Sequence, residues 1–322
     1  MSEQAIPLRV AEIRYETEGV SSFVLRHENG APLPSATPGS HIDLNLPNGL
    51  VRSYSISNAT RDCGAYRLTV AHDPKGAGGS MFLRQGVKVG DILTAARPKN
   101  NFPLVELASH SLFIAGGIGI TPFLPMMTAL NSGRCRWTLL YFAKSRERAP
   151  LLDEVEALAL CGFGELNLQL TGQNGGHRFN LKAALTGLPE DTHVYCCGPN
   201  GMLSDFLSAA ASNDLPPDRV HVEYFANEIE AATDGGFTVI LQKSGKELIV
   251  DPGATILEAV EAAGIAVPQS CLEGLCGSCE TRVIEGIPDH RDMVLSERDK
   301  QSGRTMMICC SGTKSSRLVL DL

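Results

Sequence analysis

The cysteine spacing near the C-terminus constrains this 322-residue chain more than any other feature. Cys271, Cys276 and Cys279 stand as C-x4-C-x2-C, and a further cysteine follows at a distance in the segment MMICCS. Two bridged irons need four thiolates, three of them from one sharply bent loop, and this is the spacing that holds a [2Fe–2S] cluster. Gly274 and Gly277 lie inside the loop, where bare backbone lets amides approach the sulfides and tune the potential. A structural zinc site favours two short C-x2-4-C pairs, which one triplet with a remote partner does not match. The fourth ligand is Cys309 or Cys310, because in an extended segment one neighbour faces the loop while the other points away.

The remaining thiols agree with metal ligation. Ten cysteines are unevenly placed, and the adjacent pairs Cys196–Cys197 and Cys309–Cys310 make awkward staples, so a disulfide framework is disfavoured. The net charge of −8 argues against nucleic-acid or anionic-membrane binding and suits a partner with a basic patch. No apolar stretch approaches the ~18 residues of a membrane span. MSEQAIPLRV lacks the basic-then-apolar pattern of a secretion signal, so a cytoplasmic location is expected.

The chain is long enough for two or three domains. From Leu8 to about Arg97, short β-rich runs such as RLTVA alternate with NG, PG, KG and GG turns, the pattern of a small antiparallel barrel or sandwich. Around Ser109 the texture changes: SLFIAG reads as a buried strand, PFLPMMTALNSG as a helix and RWTLLYFA as another strand. LDEVEALAL (helix), LNLQLTG (strand) and THVYCCGPNGMLSDFLSAAAS (strand into helix) continue an open parallel sheet. The polar stretch NEIEAATDGG is a linker. Beyond it FTVILQKSGKELIVDP forms a hairpin about Ser244 and Gly245, and TILEAVEAAG a helix ending on Gly264. The expected boundaries are 1–107, 108–226 and 236–322, with 227–235 as linker.

Ala115-Gly-Gly-Ile-Gly-Ile-Thr-Pro122 follows a strand and opens a helix, so bare amides there are placed to hold a pyrophosphate. The run departs from G-x-G-x-x-G, and alone it fits a simple strand-to-helix turn. Cys197-Gly198-Pro199 makes a second such turn, and both fall at carboxyl ends of parallel strands, where open α/β sheets bind ligands. Arg52-Ser53-Tyr54-Ser55 combines a phosphate-pairing guanidinium, an aromatic plate and a small hydroxyl, the parts a flavin site requires. Gly76-Ala-Gly-Gly-Ser80, before the apolar MFL, offers a phosphate site at a short helix N-terminus.

In this order the motifs resemble the phthalate dioxygenase reductase family of the ferredoxin reductase superfamily. The likeness runs through RSYS, GGIGITP, YCCGP, Glu223-Tyr-Phe225, the cysteines and DHRDMVL at 289–295. It continues through TKSSRLVLDL, which favours Cys309 as fourth ligand. The resemblance implies a multidomain fold: an antiparallel β-barrel flavin domain, an α/β Rossmann-like NAD domain and an α+β β-grasp ferredoxin domain. It also implies FMN and NADH beside the cluster, and a Rieske-type terminal oxygenase as electron acceptor. By the same likeness Arg52 and Ser53 contact flavin phosphate or ribityl, Tyr54 packs on the ring and Ser55 lies near the reactive nitrogen. Thr69, Val70 and Ala71 line the flavin through their backbone, Gly79 and Ser80 bind phosphate, and Phe225 flanks the ring. Gly116, Gly117, Gly119, Thr121, Pro122, Cys197, Gly198 and Pro199 form the nucleotide site, with Gly117, Thr121 and Cys197 positioning the nicotinamide. Ala71 and His72 stand where family members often carry a Lys or Arg, which removes a fixed positive charge near the phosphate.

The cofactors carry the chemistry in such a protein, so no general acid or base is required. Hydride passes from NADH to the flavin, then single electrons to the cluster and on to the oxygenase. Ser55, Thr121, Cys197 and Phe225 align nicotinamide with flavin. A monomer is expected. Alternatives are a reductase for another acceptor, such as a diiron monooxygenase, and a non-catalytic ferredoxin-type carrier. The basic residues of Ala143-Lys-Ser-Arg-Glu-Arg148 either meet an adenosine 2′-phosphate or face solvent, and the family likeness selects NADH.

Overall fold

The computed structural model describes residues 5–58, 64–74, 76, 78–172, 179–225 and 229–322, and the backbone forms two compact units, Met1–Glu223 and Tyr224–Leu322. Ala226, Asn227 and Glu228, at the expected domain boundary and linker start, lie outside the described residues.

The first unit opens with β1 (Ile6–Thr17), β2 (Val20–His27), β3 (His41–Asn45), β4 (Val51–Ser55) and β5 (Tyr66–Ala71), then α1 (Gly79–Gly86) and β6 (Ile92–Ala95). These strands form one antiparallel sheet in the order β4-β3-β6-β1-β2-β5. The sheet curls until its edges meet at an Ile56–Leu68 bridge, where Ser57 N donates to Arg67 O at 2.8 Å. Alternate residues fill the interior, as a half-buried strand dictates: Leu8, Val10, Leu25, Ile42, Tyr66 and Leu68 are fully buried together.

The same unit continues with β7 (His110–Gly116), α2 (Phe123–Gly133), β8 (Arg136–Ala143), α3 (Leu152–Ala159), β9 (Gly164–Leu170), α4 (Leu181–Ala184), β10 (Thr192–Cys197), α5 (Asn200–Ala211) and β11 (Val220–Glu223). The sheet is wholly parallel, ordered β11-β10-β7-β8-β9. Its strand order reverses between β7 and β10, and such a switch point opens a crevice at the strands' carboxyl ends. Phe113, Phe123, Tyr195 and Phe102 pack with ring centroids 5.0–5.9 Å apart beneath it. Phe102 also joins this core to the barrel: a Cβ on Gly39 would meet Phe102 O at 1.9 Å, so only glycine lets the two chains approach.

The second unit contains β12 (Phe237–Leu241), β13 (Lys246–Val250), α6 (Ile256–Ala262), β14 (Glu280–Glu285), β15 (Pro288–Asp289), α7 (Glu297–Ser302), β16 (Thr305–Met307), β17 (Gly312–Thr313) and β18 (Arg317–Leu320). A mixed sheet ordered β13-β12-β18-β14-β16, with β12 parallel to β18, packs against α6 in a β-grasp. A capping box between Thr255 and Glu258 starts α6, and Gly264 at φ 77° follows its end, as the sequence predicts.

One expectation needs correction. MMICCS is extended only to Met307; the chain then turns, with Ser311 N donating to Met307 O at 2.9 Å. Strand alternation therefore does not sort Cys309 from Cys310. Among the described residues no helix is long and apolar enough to cross a membrane.

Candidate functional site

The two glycine turns predicted from sequence meet at the switch point. A Cβ on Gly119 would lie 2.1 Å from Cys197 O, and one on Gly116 would meet Pro199 Cδ at 2.7 Å. Gly198 packs less closely, a Cβ there meeting Gly116 Cα at 3.1 Å. Glycine is required because backbone touches backbone here. Gly117 differs: at φ 54° its missing side chain faces open space, which leaves room for a ligand against the main chain. Thr121 is buried and its hydroxyl donates to Ile118 O at 3.0 Å, so its proton serves the turn itself. Pro122 caps α2.

Cys197 and Glu223 lie side by side in register at the carboxyl ends of β10 and β11. Burial, assisted by Glu223 and Cys196, pushes the Cys197 thiol well up. Burial likewise lifts the Glu223 carboxyl to about 8, against the opposing hydrogen bond of Ser55. All three groups are thus uncharged at neutral pH. Glu223 Oε2 is buried and finds no hydrogen-bond partner among the described residues, as expected of an atom that faces a ligand. Sequence reading missed Glu223 as a site residue. The available signal was an acidic residue closing an edge strand of a parallel sheet.

Across the cleft, β4 carries the RSYS element. The Arg52 side chain crosses the N-terminus of α1, where a Cβ on Gly79 would come 2.5 Å from Arg52 Cγ. A guanidinium beside a helix N-terminus suits a phosphate. Ser80 Oγ accepts from Asp73 N at 3.1 Å and keeps its proton for a ligand. His72 supplies no charge: its ring lies 3.1 Å from both Ser80 O and Ser21 Oγ, and burial holds its pKa below the usual imidazole range. Ser53 donates to Asp43 at 2.5 Å, leaving its oxygen as an acceptor. Thr69 and Val70 are buried and Ala71 half-buried on β5. Phe225 is 39% exposed and belongs to the second unit.

In the second unit Cys271, Cys276, Cys279 and Cys309 are all buried. Cys271 adjoins Cys276, and Cys309 adjoins both Cys279 and Cys310. Cys271 N lies 3.5 Å from Cys276 Sγ and the two thiols hydrogen-bond, while Cys279 bonds Cys309. Leu275 N and Glu273 N point at Cys271 Sγ at 3.3 and 3.4 Å, which the left-handed Gly274 and Gly277 permit. Leu272 also takes φ 60°, a strain of about 1 kcal/mol that this loop bears. Partner thiols and burial push Cys271 and Cys279 up. Cys309 rises to about 12, where Cys310 and burial outweigh the opposing bond from Cys279. Thiols so clustered ionise together only beside a cation, and with inward amides they fit a two-iron cluster. Cys310 Sγ lies 3.8 Å from Met307 O and 3.9 Å from Ser311 Oγ.

The chain is similar to known proteins over nearly its whole length. Residues 239–313 match the 2Fe-2S iron-sulfur cluster binding domain and residues 113–207 the oxidoreductase NAD-binding domain. Phenoxybenzoate dioxygenase subunit beta of Ectopseudomonas oleovorans is 44% identical over 98% of this chain and 97% of its own. Vanillate O-demethylase oxidoreductase of Pseudomonas sp. strain HR199 is 38% identical over 98% of this chain and 100% of its own. A solved phthalate dioxygenase reductase, described as a modular structure for electron transfer from pyridine nucleotides to [2Fe-2S], superposes with a TM-score of 0.73. It is 32% identical and covers 99% of this chain and 98% of that one.

Proposed function

The chain belongs to the phthalate dioxygenase reductase family, and we propose that the oxygenase it serves is a Rieske-type aromatic-ring dioxygenase or O-demethylase, with FMN as the flavin and a monomer as the working state. It is an NADH-dependent flavin and iron–sulfur oxidoreductase, the reductase component of a dioxygenase or demethylase system. One observation carries the reading: a cleft floored by bare backbone at Gly116, Gly117 and Gly119, on the same chain as four buried cysteines gathered about one sharply bent loop. Such a floor admits a dinucleotide, and such thiols hold a redox group.

When bound, NADH, the flavin and the cluster supply the chemistry, hydride transfer followed by one-electron relay. The protein's residues bind and align. Arg52 and the α1 amides receive a single phosphate, which favours FMN. Gly116, Gly117, Gly119 and Gly198 keep the cleft floor at backbone level for the nicotinamide ribose and pyrophosphate. Ser55, Cys197 and Glu223 line it without charge, and Glu223 holds its proton on the carboxyl. Arg146 is engaged bidentately by Glu156 at 2.6 and 2.7 Å and Arg148 pairs with Glu18, so neither is a free cation for a 2′-phosphate, in keeping with NADH. Residues 1–107 form the flavin half, 108–226 the nucleotide half, 227–235 the linker and 236–322 the ferredoxin domain. Cys271, Cys276, Cys279 and Cys309 are the ligands, and the contacts of Cys309 with Cys279 and with the Gly274 backbone support the last.

The purified protein should show flavin and [2Fe–2S] absorption, and mass measurement of the released flavin should give FMN; FAD would overturn that assignment. NADH oxidation should couple to product formation by a Rieske oxygenase. Exclusive coupling to a diiron monooxygenase would overturn the choice of partner.

A further inference from the structure

Arg67 is an unusual residue for a barrel strand: a guanidinium on β5 with only 10% of its side chain exposed. Nε donates to Ser57 Oγ at 3.0 Å and Nη2 to Ser57 O at 3.3 Å, at the point where the barrel edges meet. The rest of the fork leaves the barrel. Nη1 and Nη2 donate to Glu154 Oε1 and Oε2 at 2.7 and 3.0 Å, and Glu154 stands in the first turn of α3, in the parallel-sheet half. A bidentate charge-assisted pair fixes angle as well as distance. Without Glu154, Arg67 would be a buried cation lacking its counter-charge.

Both ends of this pair lead to the cleft. On the barrel side, Ser57 Oγ lies 3.2 Å from Thr69 Oγ1, which lies 2.8 Å from Ser22 Oγ, all three buried. Thr69 begins the β5 stretch that faces the flavin, and β5 packs against the glycine turn 117–120. On the other side, the residues entering α3 are tied to that turn: Tyr141 Oη donates to Pro150 O at 2.8 Å and reaches Gly117 O at 3.3 Å. Polar contacts thus run from the flavin strand through Ser57 and Arg67 to Glu154, the chain itself from Glu154 back to Pro150, and polar contacts again through Tyr141 to the nucleotide turn.

We propose that the Arg67–Glu154 pair is a positioning clamp that sets the spacing between the flavin strand and the nucleotide turn, and through it the rate of hydride transfer. The role rests on the flavin and NADH reading given above. Neither residue touches the reacting atoms. A misplacement of about 1 Å is enough to slow such a step up to ~100-fold.

Glu154→Ala is the informative change, because Glu154 is half exposed on a helix where alanine is the best helix former. Two quantities are read: the limiting rate of flavin reduction at saturating NADH, and amide hydrogen exchange over 66–71 and 152–159 in flavin-free protein. We expect Glu154→Ala to retain its flavin and cluster absorption, lower the limiting rate about 10-fold (~1.4 kcal/mol), change KM for NADH little and speed exchange in both segments. Glu154→Gln, which keeps acceptor oxygen but not charge, should recover part of both. Unchanged exchange with an unchanged rate would overturn the clamp. Faster exchange with an unchanged rate would overturn its role in hydride transfer and leave a structural latch. If the unaltered protein fails to oxidise NADH, the functional reading falls, while exchange still tests the clamp.

Discussion

Glu223 in the first unit and Cys309 in the second are both buried ionisable groups at a cofactor site, yet burial leaves them in different positions. Glu223 is pushed up to about 8 and comes to rest as a neutral acid, which is the state its cleft uses. Cys309 is pushed up to about 12 beside Cys271 and Cys279, also pushed up, while Cys276 is lowered to about 5, and as the proposed ligand Cys309 would serve only after losing its proton. The cleft is thus prepared by the chain alone, through backbone packing at Gly116, Gly119 and Gly198. The cysteine loop is prepared by its ligand, which offsets the ionisation of four thiols and the left-handed turn at Leu272.

The largest effect expected from this difference belongs to the loop. Cys309→Ser should abolish [2Fe–2S] absorption and lower the thermal stability of the second unit, while flavin reduction by NADH continues. With Cys309 as the fourth ligand, Cys310→Ser should keep the cluster. The reverse result in visible spectra would exchange the two ligands. Removing iron with a chelator should reproduce the Cys309→Ser phenotype and nothing more.

The cleft breaks in the opposite way. Gly119→Ala places a methyl 2.1 Å from Cys197 O, a backbone atom that cannot swing aside. We expect a cost of about 3 kcal/mol and a loss of roughly 100-fold in NADH-dependent flavin reduction, with cluster absorption untouched. Stopped-flow reduction and the visible spectrum of one preparation report both halves. A fully active Gly119→Ala would mean that the two turns need not touch.

Much of this was legible in the sequence because spacing and glycine placement are local. C-x4-C-x2-C and GGIGITP each fix a loop whose neighbours in sequence are also its neighbours in space. The strands about them were readable for the same reason, from period-2 and buried runs such as SLFIAG. What escaped was one local turn without a sequence signal and the contacts set by distant residues. The turn at Ile308–Cys310 replaces extended chain because Met307 O accepts from Ser311 N, and nothing in MMICCS marks that stop. Glu223 owes its shift to burial, opposed by a hydrogen bond with Ser55, and both come from residues that are far away in sequence and meet it only in the fold. The same holds for Arg67 and Glu154, 87 residues apart.

A smaller effect tests whether Glu223 is neutral at rest. Below 4.5, its ordinary value, the carboxyl is protonated folded or unfolded and adds no pH dependence. Between 4.5 and about 8 only the folded state keeps the proton, so unfolding releases one and stability falls as pH rises, by about 1.4 kcal/mol per unit. Above about 8 the contribution is flat. Denaturant titrations at pH 5.5 and 7.5 should show this slope, and Glu223→Gln, which fixes the neutral state, should flatten it. An unchanged slope in the glutamine variant would show that Glu223 ionises normally.

The smallest effect lies at the rim of the nucleotide half, where charge is balanced on the surface. Arg146 stands just beyond β8, the second strand of the sheet, and after such a strand dinucleotide sites distinguish a free ribose hydroxyl from a 2′-phosphate. Glu156 occupies its guanidinium through both carboxylate oxygens. Glu156→Ala should release the cation, which an exposed pair of this kind holds only weakly. The ratio of kcat/KM for NADPH over NADH should therefore rise about 2-fold to 3-fold, more at low salt than at high. Arg146→Ala in the same background should cancel the gain. If the ratio stays fixed in Glu156→Ala, the preference for NADH is set by the shape of the cleft and not by this ion pair, which would make the nucleotide half still less dependent on charge than the comparison with the cysteine loop already implies.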